Sequence, residues 1–99
     1  MNSFGLNDNT VKELLDYFKQ NPYIEMVKIY GSRAKGNYRK GSDIDFAIWL
    51  SENGKISTVE GDLDELPTPY KFDVTDYKKL NHEGMKNSID RDGILFYSK

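Results

Sequence analysis

The chain has 99 residues, no cysteine, 37% hydrophobic and 30% charged residues, and a formal net charge of −2. This length predicts one domain over residues 1–99 with a modest core, and the apolar content is too high for a disordered chain. The lack of cysteine excludes disulfides and thiolate chemistry, and the slight negative charge argues against stable nucleic-acid binding through a basic face.

The first predicted element is a helix that Asn7 or Asn9 can cap and that Asn21-Pro22 ends. Its apolar residues recur at spacings of three and four, which places them on one helix face: Val11, Leu14, Leu15 and Phe18. Residues 25–30 alternate and are rich in β-branched and aromatic side chains, so a first strand is predicted there, stopped by the glycine that follows.

Residues 32–42 contain almost no apolar side chain, which predicts a short helical turn and then a solvated loop. A second strand is predicted over residues 45–50, apolar enough to be buried on both faces. A turn at Asn53-Gly54 precedes a helix that Ser57 can cap and that two prolines close. The apolar face of this helix is predicted from its spacing: Val59, Leu63 and Leu66.

The last third of the chain contributes three further elements. Residues 70–76 alternate as a third strand, residues 83–91 form a helix with Met85 and Ile89 on one side, and residues 94–97 form a short strand. The complete order is α, β, short α, β, α, β, α, β. This alternation predicts a single α/β domain.

A candidate phosphate site lies where the first strand runs into Gly31 and Ser32. Glycine allows the backbone to approach a ligand closely, and the start of a helical turn presents N–H groups to an anion. Four cations follow within eight residues and would attract a triphosphate: Arg33, Lys35, Arg39 and Lys40. The alternative for these cations is an ordinary solvated surface.

Acidic residues follow at the start of the second strand. Asp43 and Asp45 are two positions apart, so both carboxylates point from one face about 7 Å apart along the backbone. A third carboxylate, Asp73, interrupts an otherwise apolar alternating strand, although Asp76 competes with it for this role and could instead cap a helix. Oxygen ligands of this kind suit Mg2+, and two ions could be shared in a phosphoryl-transfer reaction.

The proposed site constrains the sheet. If Ser32 and Asp43 meet one triphosphate, the first two strands must be antiparallel neighbours, and Asp73 must come from a strand adjacent to them. The sequence therefore predicts a small mixed β-sheet flanked by helices. The other conspicuous side chains are predicted to be structural, with His82 at the exposed start of a helix and four aromatic residues in the core: Tyr17, Tyr30, Trp49 and Tyr97.

One string combines the features of the candidate site: Gly31-Ser32-Arg33-Ala34-Lys35-Gly36, ten residues between Ser32 and Asp43, and then Asp43-Ile44-Asp45. It resembles the signature of the DNA polymerase beta-like nucleotidyltransferase superfamily. The short length and the ending from Ile89 to Tyr97 resemble the MNT, or minimal nucleotidyltransferase, family, and the similarity spans about residues 6–97.

The resemblance implies roles for individual residues. Gly31 and Ser32 match positions that contact nucleotide phosphates, Asp43 and Asp45 match the paired metal ligands, and Asp73 matches the third acid, a ligand and catalytic base, by strand context. Arg33 and Lys35 are further candidates for binding the nucleotide. The implied cofactor is Mg2+ as two ions, and the implied substrate is ATP.

The resemblance also implies a partner. Many MNT proteins are antitoxins of HEPN-family ribonuclease toxins, and members can transfer AMP from ATP to a tyrosine of that toxin. We therefore expect a cytoplasmic adenylyltransferase antitoxin, since the sequence has neither a leader pattern nor a membrane-length apolar segment. The alternatives are a non-catalytic module that binds nucleotide or partner, and a nucleotidyltransferase acting on a small molecule.

Overall fold

The computed structural model describes residues 4–99, which form a mixed sheet with helices on both faces. The helices are α1 (Asp8–Gln20), the single turn α2 (Ser32–Lys35), α3 (Ile56–Asp64) and α4 (Glu83–Asp92), and a 3-10 turn (Tyr77–Lys79) precedes α4. The strands are β1 (Ile24–Tyr30), β2 (Ile44–Leu50), β3 (Phe72–Asp76) and β4 (Ile94–Ser98). None of the helices within residues 4–99 has the length and apolar character needed to cross a bilayer.

The four strands lie in the order β3-β2-β1-β4. The central strands β1 and β2 are antiparallel, β4 is antiparallel to β1, and β3 is parallel to β2. The predicted mixed sheet is thus confirmed, as is the antiparallel pairing of the first two strands. Because β3 is parallel to β2, the starts of these two strands meet at one edge of the sheet, and β1 ends at that same edge.

The main core lies between the sheet and the helices α1 and α3. Phe18 of α1 is fully buried, and its ring meets Phe46 of β2 at 5.5 Å and Phe96 of β4 at 6.0 Å between centroids. Val59 and Leu63 of α3 are buried in the same cluster. The spacing of these residues in the sequence predicts this face, because helical apolar residues three and four apart share one side.

A smaller cluster covers the opposite face of the sheet. Ile89 of α4 is fully buried against Tyr30 and Ala47, and Trp49 stacks on Tyr77 with 4.1 Å between ring centroids. Strand β2 is thus covered on both sides, as its apolar sequence predicts. The acidic residues project from this second face, near the start of β2.

The ends of the elements test the predicted caps. Asn7 caps α1, accepting a hydrogen bond from the Thr10 amide at 2.8 Å, and His82 caps α4 in the same way through the Met85 amide at 3.0 Å. The predicted cap at Ser57 is wrong, because α3 begins at Ile56, which packs against the core, and Lys55 stands at the N-cap position. Packing of an apolar side chain here outweighs the capping preference of serine.

Candidate active site

Gly31 connects the end of β1 to α2 and has backbone angles φ +75° and ψ −153°. Glycine adopts this region readily, whereas other residues are strained in it. A β-carbon at this position would also collide with Oδ2 of Asp45 on the neighbouring strand. The Gly31 backbone therefore packs directly against the Asp45 carboxylate, so a single ligand bound there would meet both.

The strand register assembles the acidic residues. Tyr30 pairs with Asp45 across the β1–β2 ladder, and Asp45 pairs with Asp73 across the parallel β2–β3 ladder. Since paired strands lie about 4.8 Å apart, Asp45 and Asp73 stand side by side on one face. Asp43 lies two positions before Asp45 and projects to the same side. The structure brings the three acids to one sheet edge, while their roles as ligands or base stay predictions.

The side chain of Tyr30 supports the sheet next to the acidic residues. The hydroxyl of Tyr30 in β1 lies 3.1 Å from Oγ1 of Thr75 in β3, so the ring reaches across β2. It passes over Ala47, the small buried residue of β2 on this face. Burial is the main cause that raises the pKa of Tyr30, and the charges of Asp45 and Asp73 raise it further. The phenol is thus a neutral group that links β1 to β3 across β2, on the same face as the carboxylates.

The carboxyl group of Asp45 is electrostatically strained. Burial, and then the charges of Asp73 and Asp43, raise its pKa from 3.8 to about 6, whereas the charge of Arg33 lowers it. Like charges this close disfavour ionisation unless a cation offsets them. The three carboxylates therefore repel one another, and a bound cation would offset this repulsion.

The donor set fits magnesium in a shared site with a nucleotide. Within residues 4–99, no group of three or more histidine or acidic side chains is already arranged to enclose an ion. Mg2+ commonly binds through one or two carboxylates and completes its shell with waters and substrate phosphates. Carboxylates at the edge of the sheet, beside the Gly31 backbone, suit this mode of binding. Asp43 and Asp45 are the residues that would hold the ion.

Arg33 lies away from solvent, with only 2% of its surface exposed. Its Nε and one terminal nitrogen donate to the carbonyl oxygen of Ser42 at 3.2 and 2.9 Å, and the other terminal nitrogen donates to the carbonyl oxygen of Phe4 at 2.8 Å. The expectation of an exposed cation at this position is wrong. The guanidinium serves main-chain acceptors, because the loop that returns from α2 to β2 folds over it.

The other cations of this segment remain at the surface. Lys35 is about half-exposed, and its Nζ lies 3.7 Å from a carboxylate oxygen of Asp92 at the end of α4. An exposed pair of this kind contributes at most about 1 kcal/mol, so a nucleotide phosphate could replace Asp92 at small cost. Arg39 and Lys40 are exposed in the loop. Lys35 accordingly stays a predicted nucleotide contact.

Two features of the site have little signal in the sequence. The contact between Tyr30 and Thr75 depends on the strand order, which places them two strands apart although they are 45 positions apart in sequence. Ser42 closes the loop, since its hydroxyl accepts the Arg39 amide at 2.9 Å and its own amide donates to the Arg39 carbonyl at 3.0 Å. In the sequence, this role of Ser42 is indicated only by its position next to Asp43.

Comparison with known proteins gives consistent similarities. Residues 12–99 match the family described as polymerase beta, nucleotidyltransferase. Over 90 residues, the chain is 31% identical to the protein adenylyltransferase MntA of Aphanizomenon flos-aquae, in an alignment covering 79% of this chain and 59% of that protein. The chain thus spans about three fifths of the length of this relative.

Solved structures share the fold. A chain in the crystal structure of a toxin-antitoxin with AMP-PNP aligns with a TM-score of 0.64 at 19% identity, over 95% of this chain and 75% of that one. A chain in the toxin-antitoxin MntA-HepT aligns with a TM-score of 0.61 at 14% identity, over 94% and 74%. At these identities the structures establish the similarity of the fold.

The first prediction concerns the packing of Gly31 against Asp45. Gly31→Ala should destabilise the domain by about 2–4 kcal/mol, because it combines a strained backbone with a steric clash. Gly36→Ala is the matched control, since Gly36 also has a positive φ, +83°, but no atom lies within 4 Å of a β-carbon there. The control should cost about 1 kcal/mol. Urea unfolding measures both, and equal losses would mean that the clash with Asp45 adds nothing to the cost of the backbone strain.

The second prediction concerns the pH dependence of stability without metal. Because the pKa of Asp45 is raised to about 6, the folded state binds its proton more tightly than the unfolded chain does. Stability should therefore fall as the pH rises from about 4 to about 6. Asp45→Asn removes this cost and should be more stable than wild type at neutral pH, on the order of 1 kcal/mol after allowance for solvent screening.

Urea unfolding in a chelating buffer at both ends of this pH range measures the difference. The advantage of Asp45→Asn should shrink as the pH falls and vanish near about pH 3, where the folded and the unfolded wild type both hold the proton. Asp16→Asn, at an exposed position of α1, is the control and should change stability by less than about 0.5 kcal/mol throughout. A wild type that is more stable than Asp45→Asn at neutral pH would contradict the proposed repulsion.

Proposed function

This chain belongs to the polymerase beta nucleotidyltransferase family, and we propose that it transfers AMP from ATP to a hydroxyl group of a partner protein in a magnesium-dependent reaction. The observation that carries the proposal is the contact of the Gly31 backbone with the Asp45 carboxylate, with Asp73 paired beside it. This arrangement supports the proposal, because a backbone suited to a phosphate and oxygen atoms suited to a metal ion lie side by side.

The proposed roles follow the geometry. Gly31 and Ser32 bind the phosphates of ATP, and Asp43 and Asp45 hold magnesium. When bound there, the metal would neutralise charge on the phosphates. The acceptor hydroxyl forms a bond to the α-phosphorus, the bond to the bridging oxygen of the β-phosphate breaks, and pyrophosphate leaves. Asp73, exposed at the edge of the site, accepts the proton of the hydroxyl.

The acceptor that we propose is a tyrosine of a HEPN-family ribonuclease toxin, for which this chain is the antitoxin. Support comes from the relative MntA, a protein adenylyltransferase, and from the similar fold found in toxin-antitoxin structures, one of them with AMP-PNP. The open position of Asp73 at the sheet edge also suits an acceptor carried by a large partner. Because ATP and magnesium are abundant in the cytoplasm, we place the reaction there.

The third prediction tests the transfer. With magnesium, ATP and the co-purifying toxin, wild-type protein should increase the intact mass of the toxin by one AMP unit and release pyrophosphate. Asp43→Asn and Asp45→Asn should each lower the rate at least about a hundredfold, since stabilisation of the phosphoryl charge by metal is worth several kcal/mol. Both variants keep the size of the side chain, so loss of fold is not the expected cause.

Asp16→Asn is the control and should retain the wild-type rate. A mass increase that survives both site substitutions would contradict the assignment of the site. Inhibition of the toxin without any mass increase would favour a non-catalytic module. Transfer of AMP to a small molecule in place of the toxin would favour the remaining alternative.

The fourth prediction separates binding from chemistry. Magnesium with a non-hydrolysable ATP analogue should raise the unfolding midpoint of the wild type, because a ligand at 100 times its Kd stabilises the folded state by about 2.7 kcal/mol. The shift should weaken below about pH 6, where Asp45 takes up a proton. Asp45→Asn should show little shift at any pH. An equal shift for this variant would place the metal elsewhere.

A further inference from the structure

Arg33 is almost completely buried, and its guanidinium lies close to two tyrosine rings. The ring of Tyr38 lies 4.9 Å from it and the ring of Tyr70 lies 5.3 Å from it, measured to the ring centroids. Its hydrogen bonds end on the carbonyl groups of Ser42 and Phe4. Among residues 4–99, none of the ion pairs includes Arg33.

This environment differs from that of an arginine that binds phosphate. A phosphate clamp presents its donors to solvent, so that a ligand can accept two parallel hydrogen bonds. Here the guanidinium donors of Arg33 point at main-chain oxygens, and the residue is 2% exposed. A nucleotide would have to displace three hydrogen bonds and two aromatic contacts to reach it. The buried cation is instead stabilised by carbonyl dipoles and aromatic faces.

The position of the acceptor gives these bonds a consequence for the site. The Ser42 carbonyl, which receives two donors of Arg33, belongs to the peptide unit that joins Ser42 to Asp43. On one side of this peptide unit, Ser42 closes the loop through its hydrogen bonds with Arg39. On the other side of Asp43, Ile44 starts β2, and its amide donates to the carbonyl oxygen of Lys71 at 2.9 Å. The backbone of Asp43 is thus fixed on one side by Arg33 and on the other by the sheet.

We propose that Arg33 is a positioning residue, which holds the Ser42 carbonyl and thereby directs the Asp43 carboxylate towards the metal, and that it does not bind the nucleotide. This inference rests on the proposed function, in which Asp43 is a metal ligand. Metal ligation needs its oxygens placed within about 0.5 Å, which an unsupported solvated loop does not provide. The fork of an arginine can hold Ser42 and Phe4 together, whereas a lysine ammonium cannot replace both arms.

Arg33→Lys and Arg33→Met test this role, with Lys12→Met as a control for the loss of an exposed cation. In the full chain with its toxin, both Arg33 variants should lower kcat about tenfold or more and raise the magnesium concentration needed for half-maximal rate, as expected when the support of a metal ligand is lost. The KM for ATP at saturating magnesium should change less than about twofold. Lys12→Met should match wild type in all three.

Hydrogen exchange gives a readout that is independent of transfer. The amides of Arg39 and Ser42, which are hydrogen-bonded within the loop, should exchange about tenfold faster in both Arg33 variants, while amides of the β1–β2 ladder stay as in wild type. Arg33→Lys keeps charge and most of the side-chain volume, so it carries the test if Arg33→Met does not fold.

The outcomes are distinct. A raised KM for ATP in Arg33→Met, with unchanged exchange and unchanged magnesium dependence, would show that Arg33 binds phosphate and would overturn the proposal. Full activity of Arg33→Lys would overturn it as well, because a point charge would then suffice. If wild type transfers nothing, the proposed function fails. Loop exchange and the magnesium-dependent shift in the unfolding midpoint would still decide whether Arg33 positions Asp43.

Discussion

The site depends on the close packing of the Gly31 backbone against the Asp45 carboxylate. This contact requires that β1 end where β2 begins, and the antiparallel register that pairs Tyr30 with Asp45 provides it. It also requires a residue without a β-carbon, since both the positive φ and the position of the carboxylate exclude one. The pairing of β1 with β2 thus holds the Gly31 backbone and the Asp45 carboxylate within reach of the same ligand.

The acidic edge is held together by groups that carry no charge. Asp45 and Asp73 repel each other across the β2–β3 ladder, and this repulsion opposes the pairing that places them there. Beneath them, Tyr30 reaches over Ala47 to Thr75 and ties β1 to β3. A larger residue at position 47 would obstruct the ring. The domain therefore bears a local electrostatic cost that a cation would offset, which couples metal binding to stability.

The sequence predicts the fold and the centre of the site well, for identifiable reasons. Helix and strand periods locate α1, α3, α4 and the four strands, whereas the 3-10 turn Tyr77–Lys79 was not predicted. The match of residues 12–99 to the polymerase beta family confirms the superfamily resemblance drawn from the Gly31-to-Asp45 string. Local signals suffice here, because the motif lies on two consecutive strands and the turn between them. Asp73 was placed by strand context alone, and the parallel pairing with β2 brings it to Asp45.

Contacts between distant segments of the chain could not be predicted in this way, and Arg33 shows why. In the sequence it is one of several cations in a polar stretch, like Lys35 and Lys40, and composition gives no reason to separate them. Its burial results from contacts with Phe4 and Tyr70, which lie 29 positions before it and 37 positions after it. Only the folded arrangement of these segments distinguishes the buried arginine from its exposed neighbours.

The same stretch of chain therefore combines two physical roles with different demands on geometry. Exposed cations act on an anion over a Debye length of about 8–10 Å, so Lys35, Arg39 and Lys40 would need no fixed conformation to attract the proposed nucleotide. Alignment of a metal ligand tolerates errors of only about 0.5 Å, so the carbonyl before Asp43 needs a rigid partner. A buried guanidinium supplies that rigidity, because its fork is planar and its donors are already directed. In the proposed function, both kinds of cation lie between Ser32 and Asp43, so that one short segment would attract the nucleotide and hold a metal ligand in place.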